Sequence, residues 1–436
     1  MPEADTLIGL HAALVVVGAG PAGLAAAQAA ARGGVDVLLL DAAPVAGGQV
    51  WRARRGVTPP PVARALAGLA RAGVRVLAGT RVVMPLPDRT LLIDGPDGAC
   101  RLRWQHLVLA TGARERLLPF PGWTLPGVFG AGGLQALAKG GWPLSNQRVL
   151  VAGTGPLLLA AAATLHREGA LIAGLADEAG PRALARFAGP LLRHPSKAAQ
   201  ALQLAWSLGG MRWLPGWRVV AAEGAGKVER VVLKNGGRTR AIACDALAAS
   251  WGLVPQTELG QALGCALAPR FGADALAVDA AQRTNVAGVF AVGECTGVAG
   301  AVAAQLQGEI AGRAVAAELA SAAPPPARLA ARLAREHGFA AAVAATFAPP
   351  AHWRERLRDD TLVCRCEDVA WSALRDQPDL RSAKLATRCG MGHCQGRLCH
   401  DTLASVMHWP RLPVRAPLTP APLASLLAIP DSPPSP

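Results

Sequence analysis

Five of the nine cysteines fall between residues 364 and 399. Cys364-Arg365-Cys366 sets two thiols one residue apart, whereas zinc pairs usually have two to four residues between ligands. The spacing suits a two-iron cluster better than zinc, with structural zinc as the competing reading. The second thiol pair must then come from Cys389, Cys394 and Cys399. Four thiolates on a [2Fe–2S] core leave net negative charge, which Arg365, Lys384, Arg388 and Arg397 are available to offset. Gly390, Gly392 and Gly396 let backbone N–H groups approach the sulfurs. The other cysteines, Cys100, Cys244, Cys265 and Cys295, stand alone. In a reducing compartment such crowding argues for metal rather than disulfides.

The second chemistry is a phosphate cradle. The apolar run from Leu14 to Val17 leads into Gly18-Ala19-Gly20-Pro21-Ala22-Gly23. Gly18 permits a tight turn, Gly20 lets backbone approach a pyrophosphate, and Gly23 lets helix pack on strand. The following helix, predicted from Pro21 to about Ala31, points its free N–H groups and positive dipole at the phosphates. A second strand ends in Asp41, 23 residues after Gly18, where a carboxylate accepts from an adenosine ribose.

Four further stretches fit the same ligand. Gly47-Gly48-Gln49 offers a close backbone and an amide to a flavin or pyrophosphate. Val74–Val83 reads as strand, turn and strand; resemblance to flavoproteins built this way implies that backbone near Val82 meets adenine. Leu107 to Ala110 ends in Thr111-Gly112, small residues where a strand end passes a cofactor. Thr284 to Gly293-Glu294 is a buried strand ending in a carboxylate that can bond a ribityl chain. The next helix, about Val298 to Ala317, aims its N-terminus at the flavin pyrimidine ring. The expected cofactor is FAD.

These groups must be carried by α/β architecture. Arg148 to Leu158 repeats the first unit, with Gly153-Thr154-Gly155, and a second strand ends at Asp177, 24 residues after Gly153. Leu158 replaces the third glycine, and a large side chain there pushes helix and strand apart. The repeat reads as structural, its nicotinamide site lost or altered; a working NAD(P) site is the alternative. The expected organisation is an FAD domain over 1–122 and 278–323, an NAD(P)-binding-like domain over 123–277, and a helical connector over 324–360. A [2Fe–2S] domain over 361–409 and a Pro-rich tail over 410–436, extended or disordered and lying on a partner, complete it.

Composition excludes several classes. The net charge is +14, but the arginines are scattered and tyrosine is absent, so neither a basic recognition surface nor a stacking platform for nucleic acid is present. No apolar run reaches the roughly 18 residues of a membrane span. Glu3 and Asp5, with no early Lys or Arg, do not form a signal peptide. A cytoplasmic protein is expected. No His–Asp or Ser–His set is evident, so the catalytic residues stay unassigned.

Nearly the whole chain carries a resemblance. The front resembles two-dinucleotide-domain flavoproteins of the glutathione-reductase fold, without a Cys-x-x-Cys or Cys-x4-Cys in either Rossmann unit to carry disulfide chemistry. Thr361-Leu-Val-Cys364-Arg-Cys366-Glu-Asp-Val369 and Thr387-Arg-Cys389-Gly-Met-Gly-His-Cys394-Gln-Gly-Arg-Leu-Cys399 resemble the bacterioferritin-associated-ferredoxin type of [2Fe–2S] domain. With Gln282-Arg-Thr284 and Gly293-Glu-Cys-Thr-Gly297, the chain is similar to α-type subunits of heteromeric amino-acid dehydrogenases. That family includes opine oxidase, hydrogen cyanide synthase and D-hydroxyproline dehydrogenase subunits.

The resemblance implies cluster ligation by Cys364, Cys366, Cys394 and Cys399, with Cys389 a non-ligand. It implies substrate oxidation on a separate flavoprotein β subunit, with a further small ferredoxin-like subunit and a membrane-peripheral electron acceptor as additional partners. The competing functions are a self-contained NAD(P)H-dependent FAD/iron–sulfur reductase and a non-catalytic redox sensor.

Overall fold

In the computed structural model, residues 9–350 and 353–427 are described. They fall into two compact units. One comprises 9–114, 255–340 and 413–427, the other 115–254 with 341–350 and 353–412.

The first unit is built on a seven-stranded sheet. Arg75–Ala78, Val37–Asp41, Leu10–Val17 and Gly98–Leu109 run parallel in that order, and Val289–Ala291 pairs with the last of them. A hairpin of Thr90–Gly95 and Arg81–Leu86 extends the sheet antiparallel. Leu14, Val15 and Val16 are fully buried, as strands covered on both faces require. The register sets Val17 beside Leu40 and Leu109, and Ala291 beside Leu109. The strand ends leading into Gly18, Asp41, Ala110 and Gly293 therefore share one edge, the carboxyl edge where open α/β sheets take their ligands.

Pro21–Arg32 lies against the helix Ala301–Ala320 through small residues. A Cβ on Gly308 would come within 2.1 Å of the Ala22 carbonyl oxygen, and one on Gly312 within 2.3 Å of that of Ala26. The Ala- and Gly-rich sequence here serves contact between helix backbones. The strand expected over Thr284–Glu294 is confined to Val289–Ala291: Gly288 at φ +79° precedes it, and Gly293 at φ +77° opens a 3-10 turn, Gly293–Thr296, after it. The helix after it starts at Ala301, not Val298.

The second unit has a parallel five-stranded sheet in the order Trp213–Pro215, Leu171–Asp177, Arg148–Gly153, Ala246–Ser250, Val128–Gly130. An antiparallel sheet of Arg218–Glu223, Arg230–Asn235 and Arg238–Ala243 accompanies it. The cysteine-rich segment belongs to the same unit. Its strands Leu362–Cys364 and Val369–Ala370 pair antiparallel, and the helices Leu380–Thr387 and Cys399–Met407 follow. Trp123 Nε1 donates to the Leu362 carbonyl at 2.5 Å, and the Thr402 hydroxyl to that of Leu117 at 2.9 Å.

The borders differ from the expected ones. Residues 255–277 lie in the first unit rather than with 123–277, and the connector is divided, the helix Ala327–Thr346 beginning in one unit and ending in the other. The tail, expected on a partner, folds on its own chain as far as residue 427. Leu418 N donates to Val83 O at 2.7 Å, and the buried Ser425 hydroxyl donates to Asp94 at 3.0 Å. Glu3, Asp5 and the tail beyond 427 lie outside the described residues. Among the described residues no helix is long and apolar enough to cross a membrane.

Candidate functional site

At the carboxyl edge of the first sheet each glycine of the turn has a distinct duty. Gly18 sits at φ +107°, and a Cβ there would stand 2.3 Å from the Ala110 carbonyl oxygen. Gly23 packs so closely that a Cβ would lie 1.7 Å from Gly18 O. Gly20 is open: its nearest neighbour would be the Cα of Gly48, at 3.9 Å. Two glycines thus face each other at the start of a helix that has no side-chain cap and carries Pro21 in its first turn. Free N–H groups and empty space suit a pyrophosphate.

Ala22 meets the Gly293 turn, where an added Cβ would come within 2.8 Å of it. The Gly18 and Gly293 motifs, 275 residues apart in sequence, are therefore neighbours. Asp41 does more than await a ribose. Its carboxylate accepts from Ala19 N at 2.6 Å and Ala43 N at 2.7 Å, holding the glycine turn in place.

Glu294 is partly buried, which raises its carboxyl above the usual range against the opposing N–H of Gly300. Val82 pairs with Ile93 in the edge hairpin. Gln49 is exposed, and its amide oxygen accepts from Arg52 at 2.9 Å; the structure does not turn it inward.

Two glutamines that sequence reasoning missed organise this edge. Gln256 accepts the Thr111 hydroxyl on its carbonyl at 2.6 Å and returns an amide hydrogen to Thr111 O at 3.0 Å, while its N–H bonds Gly112 O at 2.9 Å. Gln307 accepts Gly293 N at 2.9 Å and donates to the Thr296 hydroxyl at 2.8 Å. A buried Gln inside an Ala-rich helix was the available signal.

In the second unit Gly153 again approaches a neighbouring strand, an added Cβ lying 1.8 Å from Ser250 O. Leu158 is fully buried in the core with Val149, Val151 and Ala248. Asp177 is buried as well. Its carboxylate accepts from Ala179 N at 2.9 Å, and the Thr154 hydroxyl and Gly155 N–H also bond it.

Burial raises Asp177 to about 6, above its ordinary 3.8. The folded chain therefore holds this proton more tightly than the unfolded one, so stability is full at low pH and is lost as pH rises through about 4 to 6. The loss should be on the order of 2–3 kcal/mol. Urea unfolding of wild type and Asp177→Asn at pH 4.5 and 7 checks it; the asparagine variant should lose the difference between the two pH values.

The cysteine-rich segment brings its five thiols together as two groups. The sulfurs of Cys364, Cys389 and Cys399 lie within 4.8 Å of one another and are buried. Cys389 and Cys399 are 3.7 Å apart, and Cys364 also bonds Cys399. Cys366 pairs with Cys394. The Cys399 thiol and burial raise Cys364, burial and the Cys394 thiol raise Cys366, and, against a Cys364 hydrogen bond that lowers it, the Cys389 thiol and burial raise Cys399 above the ordinary thiol range. A bound cation reverses that by favouring thiolate, so the donor set fits a metal.

The glycines shape this loop. A Cβ on Gly392 would stand 2.3 Å from that of Cys366, and Gly390 and Gly396 leave room for the His400 ring. The arginines expected to offset cluster charge have other partners. Arg388 bonds Glu367 at 2.9 Å, Arg397 bonds Gln395 at 3.0 Å, and Arg365 lies over the Trp123 ring at 5.0 Å. Outside the segment, burial pushes Cys244 and Cys295 up to about 11, as suits inert thiols.

A family model of pyridine nucleotide-disulphide oxidoreductases matches residues 12–309, and the chain belongs to that family. Its relatives narrow the picture. Hydrogen cyanide synthase subunit HcnB of Pseudomonas aeruginosa is 34% identical over 423 residues, covering 88% of this chain and 90% of that protein. An opine oxidase subunit of Rhizobium meliloti is 32% identical over 433 residues, covering 90% and 91%. Among solved structures, L-proline dehydrogenase from P. horikoshii shares the fold with a TM-score of 0.70 at 19% identity, over 96% of this chain and 79% of that one. T. acidophilum thioredoxin reductase does so with 0.54 at 24%, over 71% and 98%. The chain is an oxidoreductase subunit, and its homologues are subunits of heteromeric enzymes.

Proposed function

We propose that this chain is the FAD- and [2Fe–2S]-bearing electron-transfer subunit of a heteromeric amino-acid or secondary-amine dehydrogenase of the opine, hydroxyproline or glycine class. Substrate would be oxidised on a partner flavoprotein subunit. The observation that carries this reading is the pairing, in one chain, of an open glycine cradle at a sheet's carboxyl edge with a buried group of three converging thiols and a further thiol pair, Cys366 and Cys394. Flavin, when bound, supplies acceptance of an electron pair and release of single electrons, and a two-iron cluster supplies a one-electron carrier.

The chain's own residues do the positioning. Gly20 and Gly48 would admit the pyrophosphate, with the N–H groups opening Pro21–Arg32 bonding it. Gln307 fixes the Gly293 turn, which with Glu294 would adjoin the flavin. Gln256 holds Thr111 and Gly112 at the adjoining strand end. Cys364, Cys366, Cys394 and Cys399 would hold the cluster.

The isolated, cofactor-loaded chain is expected to oxidise no opine, hydroxyproline or glycine, and activity should appear on adding the partner subunit. Dye-coupled assays of the chain alone and of the reconstituted complex check this. Full turnover by the chain alone would overturn the proposal.

A further inference from the structure

The second glycine turn already faces a side chain of its own molecule. Gly155 stands where backbone would meet the pyrophosphate of a nicotinamide dinucleotide. A Cβ built on it would lie 3.7 Å from Cβ and 3.9 Å from Cγ of Phe347. Gly20, its counterpart in the first unit, faces only another glycine. Phe347 is firmly held, its N–H donating to Val343 O at 2.9 Å and its ring meeting Phe187 edge-on at 5.1 Å and 75°.

A separate observation lies beside the strand end. Glu178, next to Asp177, receives both terminal nitrogens of Arg356 at 2.9 and 2.7 Å, and also Trp251 Nε1 at 2.9 Å. The two charged side chains are 7% and 8% exposed. The guanidinium lies 4.1 Å from the centre of the Trp353 ring, whose Nε1 donates to Pro119 O at 2.7 Å. A forked, buried and fully bonded ion pair is costly to break one partner at a time. Asp177, with its carboxylate bonded to Thr154, Gly155 and Ala179, is buried away from a ribose.

We infer that Phe347 sets the electron-donor specificity of this chain by filling the nicotinamide-nucleotide site of the second unit. The Glu178–Arg356 pair latches the segment that leads from that site into the cysteine-rich module. The dinucleotide fold is thereby converted from a ligand site into a seat for the chain's own connector, and NAD(P)H is excluded as donor. The inference deepens the electron-relay reading and rests on it. The two fail separately, because FAD and iron contents are measured on the same protein as nicotinamide binding.

The test is anaerobic titration of the FAD-loaded full chain with NADH and with NADPH. Tryptophan-to-nicotinamide energy transfer reports binding, and absorbance reports flavin bleaching. Wild type should show neither saturable binding nor bleaching, whereas Phe347→Ala should bind either nucleotide at least about tenfold more tightly. Hydrogen exchange over residues 153–158 of wild type, unchanged by NADH, supports the same conclusion should the variant fold poorly. Saturable binding to wild type, or protection of that turn by NADH, would overturn the inference. So would a Phe347→Ala protein with full FAD and iron that binds nucleotide no better than wild type.

Discussion

Gly20→Val should yield a folded but colourless protein, and Gly23→Val one that does not fold. Both belong to the same six-residue turn, and the difference is one of space. Gly20 has φ −76° and ψ −175°, extended backbone that any residue adopts, and its side-chain direction is open to the Cα of Gly48 at 3.9 Å. The Cβ of a valine therefore meets no close contact within the fold. It then stands where the pyrophosphate must pass, blocking the N–H groups that open the helix. FAD affinity should fall at least about 100-fold, equivalent to about 2.7 kcal/mol, so purified protein should release little or no FAD on denaturation.

At Gly23 the added carbon would overlap Gly18 O at 1.7 Å and its carbonyl carbon at 2.9 Å. The helix could escape only by moving off the first strand and off Ala301–Ala320, against which it is equally tight. Such overpacking on backbone belongs to the range above about 4 kcal/mol, where single substitutions unfold domains. Circular dichroism with flavin absorbance separates the two outcomes. A yellow Gly20→Val protein with one FAD per chain would remove the flavin from this cradle.

Residues that obey local rules were readable from sequence. Gly18 is forced by φ and a close carbonyl, and the strands near it by apolar runs, so a strand through Leu14 to Val17, the helix Pro21–Arg32 and the strand Val37–Asp41 follow from residue type, whereas the extension of the first strand back through His11 to Leu10 does not. Arg148–Gly153 and Leu171–Asp177 follow for the same reason.

What depends on distant backbone was not readable. Gln256 works on Thr111 from 145 positions away, and no spacing rule joins them. The unit border near Pro255 carries no change of composition, because the chain crosses there in ordinary short strands. The tail's prolines suggested an extended segment, yet Leu418 and Ser425 find partners on the edge hairpin that only the folded sheet creates. Asp41 illustrates the middle case. Its type and position were legible, but its bond to Ala19 N requires the turn to be already formed.

Replacing Cys364, Cys366, Cys394 or Cys399 singly with serine should abolish the cluster, while Cys389→Ser should keep it. The thiols pair across the two motifs, Cys364 with Cys399 and Cys366 with Cys394. Two tetrahedral irons bridged by two sulfides need four protein thiolates in two pairs, and on the proposed reading these two pairs would supply them. Neither Cys-x-Cys nor Cys-x4-Cys would complete a site alone, so losing one thiol leaves an iron short of a ligand and the neighbouring thiolates without their counter-charge. Cys389 touches only the Cys364–Cys399 end, 3.7 Å from Cys399, and makes a fifth thiol where four suffice. Anaerobic wild type and Cys389→Ser should each carry about two irons and two sulfides per chain and give an EPR signal only when reduced. In the reconstituted complex, Cys394→Ser should slow turnover with an external acceptor while substrate still reduces the partner's flavin, because only the onward path for single electrons is removed. Iron lost from Cys389→Ser would move the ligand set to the Cys364, Cys389 and Cys399 group, and zinc in place of iron in anaerobically prepared protein would make the site structural.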